Sequence, residues 1–177
     1  MLRQMVRAAR LDRRFFTELI FDNYATGNAV MVVAATYALI ALTFALGRPL
    51  QLSLIGLLRL VLGGLVGWLV LGGALWVVGV KLFNGRGRGQ TILRLIGFAH
   101  APLVVCAVGL LLPASLDTVV VAVGFLWFFA AVASATRVLF DFDLSHAAST
   151  TLLAFAVWWV ASLIGLGLNI TTILGLG

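Results

Sequence analysis

The chain has 177 residues, 63% of them hydrophobic and only 10% charged, with a mean hydropathy of +1.16. Soluble domains carry about 25% charged residues, so this composition excludes an ordinary soluble fold and calls for a bilayer. The net charge of +6, eleven arginines and one lysine against six acids, reads as membrane topology and contact with anionic lipid and not as nucleic-acid binding.

Residues 2–20 form the first predicted element, a basic amphipathic helix. Leu2, Met5, Val6, Ala9, Phe16 and Ile20 share one face, and Arg3, Arg7, Arg10, Arg13 and Arg14 take the others. Such a helix suits an anionic leaflet. Residues 1–27 are therefore read as a cytoplasmic segment and 28–177 as a transmembrane domain. Five apolar stretches follow at 29–46, 61–80, 95–112, 118–136 and 147–168. Each approaches the roughly 20 residues that a helix needs to cross the hydrocarbon core. They lack the apolar/polar alternation of barrel strands, so the expected fold is all-α, a polytopic five-helix bundle. The first stretch is longer than the 7–15 apolar residues of an ordinary signal peptide and is expected to stay as a membrane helix. Residues 54–60, which include Arg59, are either a short interfacial helix or the start of an over-long second span.

Orientation follows from the basic residues of the connections. With the N-terminus inside, the inner side holds the five arginines of the first segment together with Lys81, Arg86, Arg88, Arg94 and Arg137, and the outer side holds only Arg48 and Arg59. The N-terminus is expected inside and the C-terminus outside, in the inner or plasma membrane of a cell. The excess of Arg over Lys hints at a bacterial source. Small residues should pack the spans: Gly63 with Gly67, Gly64 with Gly72, Ala130 with Ser134, Ala131 with Ala135, and Ala161 with Gly165.

Residues 83–102, FNGRGRGQTILRLIGFAHAP, are where pattern and chemistry meet. Gly85, Gly87 and Gly89 permit close turns between the second and third spans. Pro102 lies within the first two turns of the third apolar stretch, where it withholds a backbone donor from the Phe98 carbonyl and kinks the helix. His100 sits beside that break, either as a polar pivot open to titration or as a satisfied structural histidine. In the last inner loop, Asp141 and Asp143 face the same side as Arg86, Arg88 and Arg94, and a salt-bridged cap is expected between them. Asp143 or Ser145 is also placed to cap the fifth span, which His146 begins. The lone Cys106 allows no intramolecular disulfide. No metal-ligand spacing, nucleophile elbow or phosphate loop is present, so neither a cofactor nor an enzymatic activity is expected. The triplet 169–171 fits a glycosylation sequon but lies too close to the membrane to count.

The Gly-Arg-rich loop followed by Leu93-Arg94-x-x-Gly97-Phe98-Ala99-x-x-Pro102 resembles the Yip family of small polytopic membrane proteins, over roughly residues 15–168. The resemblance implies a helical membrane domain. The eukaryotic founders of that family bind Ypt/Rab GTPases in ER-to-Golgi traffic. The closer likeness is to the short prokaryotic members, for which the family offers no settled activity. The Asp-Leu-Tyr-Gly-Pro motif of the eukaryotic N-terminal region has no counterpart in residues 1–28, so a Rab-type GTPase is not an expected partner. The reading that follows is a non-catalytic scaffold or accessory subunit, contacting anionic lipid and other membrane proteins or itself. The alternative is a lipid-handling or small-solute transport or channel protein.

Overall fold

The computed structural model describes residues 2–22, 24–47 and 54–163, and every regular element among them is helical. Helices α1 (Leu2–Ala9) and α2 (Arg13–Phe21) precede α3 (Ala25–Gly47) and α4 (Leu54–Val77), which ends in a π-helical turn, Val78–Leu82. Helix α5 (Gly89–Ala99) passes through a 3₁₀ turn, Ala101–Leu103, into α6 (Val104–Gly109). Helices α7 (Ala114–Phe140) and α8 (Leu144–Leu163) complete the described chain. Among the described residues, five segments are long and apolar enough to cross a membrane: Ala25–Leu46, Ile55–Leu82, Gly89–Gly109, Leu116–Phe140 and Leu144–Leu163.

These helices run beyond the uncharged stretches read from the sequence: Arg59 and Lys81 keep their charged ends exposed, and Arg94 is bound within the protein. Residues 54–60 belong to α4, with Arg59 exposed on its surface, which settles the choice in favour of one over-long helix. Residues 164–168 of the fifth stretch, and with them Gly165, lie outside the described residues, as do Arg48 and the 169–171 triplet. The α5–α6 span is the axis of the bundle: 78% of its most apolar window is buried, against 28% for α8. It packs on α3, α4 and α7, while α8 packs on α4 and α7. A core of Tyr37, Trp68, Leu75, Ile96 and Phe128 fills the space between them. The small-residue contacts fall partly as expected. Gly64 lies against the Tyr37 ring, Gly72 against Leu93, and Ala131 and Ala135 are buried.

The N-terminal segment departs from expectation. It is a hairpin of two short helices, not one helix of residues 2–20. Asp12 stops the first and starts the second: its Oδ1 accepts from the Arg14 N–H at 3.0 Å and the Phe15 N–H at 3.3 Å, capping α2, while Leu11 turns the chain with φ 58°. Two of the apolar positions read from the sequence, Leu2 and Val6, are exposed. Ala8, Phe15, Phe16 and Leu19 are the buried ones, against Phe98, Ala101 and Ala135 of the bundle. The segment is therefore docked on protein along one side. Arg7 binds its two halves together, forked onto Glu18 at 2.7 and 3.0 Å and reaching Asp12 at 2.9 Å, with its guanidinium over the Phe15 ring.

Candidate functional site

The loop after α4 is shaped by one aromatic ring. The π turn lets the Gly85 N–H donate to the Gly79 carbonyl at 2.8 Å, and Asn84 takes a left-handed φ of 54°. This folds Gly79, Gly85 and Gly87 onto Phe140 at the end of α7. A Cβ on Gly85 would lie 2.5 Å from Phe140 Cδ1, and one on Gly87 would lie 2.7 Å from Cε1, whereas a Cβ on Gly89 would meet nothing within 4 Å. Two of the three loop glycines are thus required by contact with Phe140, and Gly89 is not. Gly87→Ala is expected to destabilise the detergent-solubilised protein by about 1–3 kcal/mol through overpacking. In a Phe140→Leu background the same change should cost clearly less, and Gly89→Ala should be close to neutral, as read from thermal unfolding midpoints. Arg86 and Arg88 point away and are exposed.

Arg94 has a role that its position in a basic run concealed. It is only 3% exposed. Its Nη1 donates to the carbonyls of Leu19 at 3.0 Å and Ile20 at 3.4 Å, and its Nε to Thr26 Oγ1 at 3.2 Å. Those carbonyls close the last turn of α2, where a helix carries its partial negative charge. One side chain on the central span therefore caps α2 and fixes the start of α3. Two turns of helix complete the motif. Gly97 meets α3 so closely that a Cβ there would lie 2.6 Å from Ala29 Cβ and 3.1 Å from its Cα and O. The Phe98 ring receives Phe15 edge-on at 5.4 Å between centroids.

His100 is buried. Its Nδ1 donates to the Ile96 carbonyl at 2.8 Å, and its ring packs 4.6 Å from Phe128 and 5.9 Å from Tyr37. Pro102 sits near the start of the 3₁₀ turn, as suits a residue without an N–H, and that turn joins α5 to α6 within one span. These contacts favour the satisfied structural histidine over the pivot.

The expected salt-bridged cap takes another form. Asp141 adopts φ 55° as the left-handed C-cap of α7. Asp143 caps α8 by accepting from the His146 N–H at 2.9 Å, and it holds the His146 ring at 2.6 Å. Among the described residues no ion pair joins either aspartate to Arg86 or Arg88; the Asp143 carboxylate turns to the start of its own helix, and Asp141 ends α7 through its backbone. Arg137, one turn before Asp141, is partly buried, with its Nε unpartnered among the described residues. The His146 backbone N–H, then its ring, hold the Asp143 carboxyl below the usual carboxylate range. A depressed folded-state value stabilises the cap above the unfolded value of about 3.9 and loses it as pH falls through the lower folded one. Amide exchange at His146 should therefore accelerate beyond its intrinsic rate only below about pH 4. In Asp143→Asn that extra pH dependence should vanish.

Sequence reasoning missed Thr26, Trp68 and Phe140 as partners of the motif and Trp127 as a partner of the hairpin. The Trp68 indole N–H donates to the Leu93 carbonyl at 2.9 Å, and that of Trp127 to the Ala9 carbonyl at 2.7 Å, so α1 as well as α2 has its C-terminal turn held by a donor from the bundle.

A five-span apolar bundle, with its longest sequence motif built into the central span, defines a polytopic α-helical membrane protein. The family model of the Yip1 domain matches residues 11–173, and the chain belongs to that family. Comparison with curated proteins and with solved structures gives no match.

Proposed function

We propose that this Yip1-family protein is a non-catalytic scaffold or accessory subunit, working through helix contacts and a basic cytoplasmic face. The observation that carries this reading is how the motif side chains are spent. Arg94 holds helix ends, Gly85 and Gly87 receive Phe140, Gly97 receives Ala29, and His100 bonds its own helix. Residues committed to internal contacts build a rigid platform. The outward faces are then what a partner meets, α8 above all, where Leu152, Val157, Val160 and Leu163 are exposed. In a membrane without a hydrophobic drive between helices, such a face recognises a neighbour by packing.

The orientation proposed with this function keeps the N-terminus and the loops around Arg86, Arg88 and Arg137 in the cytoplasm of a bacterial cell, and the C-terminus outside. A C-terminal reporter active only in the periplasm should be active, and one active only in the cytoplasm should be silent. The functional reading is tested by extracting the protein from its own membrane in a mild detergent and determining the mass and composition of the particle. A stoichiometric membrane-protein companion is expected. A lone chain that carries lipid or solute across liposome membranes would overturn the scaffold reading.

A further inference from the structure

The hairpin of α1 and α2 touches the bundle at three successively deeper points. Near its base, Arg94 holds the Leu19 and Ile20 carbonyls; one step further, Phe15 meets Phe98; at the turn, the Ala9 carbonyl accepts from the Trp127 indole. Trp127 is at the middle of α7. From there the helix rises about 20 Å toward Ala114 at one end and about 20 Å toward Phe140 at the other. A hydrocarbon core of ~30 Å cannot be fitted between Trp127 and the Ala114 end. However the bilayer is shifted along α7, the turn of the hairpin lies inside the hydrocarbon zone.

That turn is highly charged. Arg7 engages both nearby acids, Asp12 and Glu18. Arg10, Arg13 and Arg14 are exposed, and their guanidinium groups make no hydrogen bond or ion pair with any described residue. The α7 surface at the same height is apolar, with Val123 and Leu126 exposed. Guanidinium groups at this depth cannot face acyl chains; they are tolerated where side chains snorkel, the bilayer thins or polar groups are drawn in. We propose that Arg10, Arg13 and Arg14 form a site for phospholipid headgroup phosphates, which are drawn into the leaflet beside α5 and α7 and thin it there. The ligand class follows from the cations: planar guanidinium forks bind phosphate oxygens two at a time, and three uncompensated positive charges select anionic headgroups. The inference rests on the membrane reading shared with the proposed function, and on neither the orientation nor the partner.

The test uses the full chain in mild detergent and native mass spectrometry, with phosphatidylglycerol as the probe. Wild type should retain the lipid. The variant R10Q/R13Q/R14Q should retain at least about tenfold less. R10K/R13K/R14K, which keeps the charge but not the guanidinium forks, should retain an intermediate amount, and R59Q/K81Q, which removes exposed charge from α4 and the turn after it, should behave as wild type. Equal retention by wild type and R10Q/R13Q/R14Q would overturn the proposal. So would displacement of the lipid by millimolar inorganic phosphate, which would identify a free-anion site, or an acidic protein in the lipid's place. For depth, a cysteine at Thr17 in a Cys106→Ala background should react with a membrane-impermeant maleimide nearly as fast as one at Tyr24. Failure of Thr17→Cys to react would mean a dry leaflet and would sink the thinning.

Discussion

Arg94→Gln is expected to release the N-terminal hairpin while leaving the five spans assembled. The substitution takes a charged donor from the Leu19 and Ile20 carbonyls, at a site where the replaced side chain is almost wholly enclosed. Hydrogen bonds to charged groups are worth about 1.5–3 kcal/mol, and the stranded carbonyls add a desolvation cost, so a loss of about 3 kcal/mol is expected. The readout is tryptic cleavage after Arg10, Arg13 or Arg14: slow in wild type, rapid in Arg94→Gln, with the helical content of the bundle retained. Arg94→Lys should fall between the two, because a single ammonium cannot reproduce the fork that reaches α2 and Thr26 together. Cleavage of Arg94→Gln at the wild-type rate would show that other contacts suffice to dock the hairpin.

The second large effect belongs to Gly97. Its neighbour on α3 is backbone as much as side chain, since Ala29 Cα and O stand 3.1 Å from where a Cβ would sit. A flexible side chain could move aside; a helix axis must shift. Gly97→Ala should therefore cost about 1–3 kcal/mol even though alanine is the better helix former, and Gly97→Val should cost more. Gly73→Ala is the control, because nothing lies within 4 Å of the added methyl. It should be neutral or slightly stabilising. The thermal midpoint in detergent separates these outcomes. Pairing Gly97→Ala with Ala29→Gly should recover part of the loss, which an effect confined to helix propensity would not do.

Much of this architecture could be read from the residues. Uncharged stretches located all five spans, because a helix in lipid announces itself by composition alone. Pro102 marked the change of helix type, and the glycines of the loop marked close approach. The object approached, Phe140, was hidden because it lies 53 residues beyond Gly87, and no local pattern connects them. Arg94 was misplaced for a related reason. In a run containing Arg86 and Arg88 it read as one more loop charge, whereas it stands one turn inside α5. One signal was available: Arg94 and Gly97 are three residues apart and share the face that meets α3 and the hairpin. The break in the N-terminal segment was also legible in principle. Asp12 followed by Arg-Arg-Phe is a helix start inside what composition alone presents as one helix. Its deep docking was not, since it depends on Trp127 and Phe98, residues of two other spans.

The motif of the third span grips the N-terminal hairpin and joins it to the bundle as one platform. The most direct measurement is cross-linking in native membranes between cysteines placed at Phe15 and Phe98, in a Cys106→Ala background, with a short bis-maleimide. An intramolecular cross-link should form rapidly and be sharply reduced when Arg94→Gln is added. Free thiols at both positions after reaction, with a cysteine pair at Phe129 and Phe155 cross-linking under the same conditions, would contradict it.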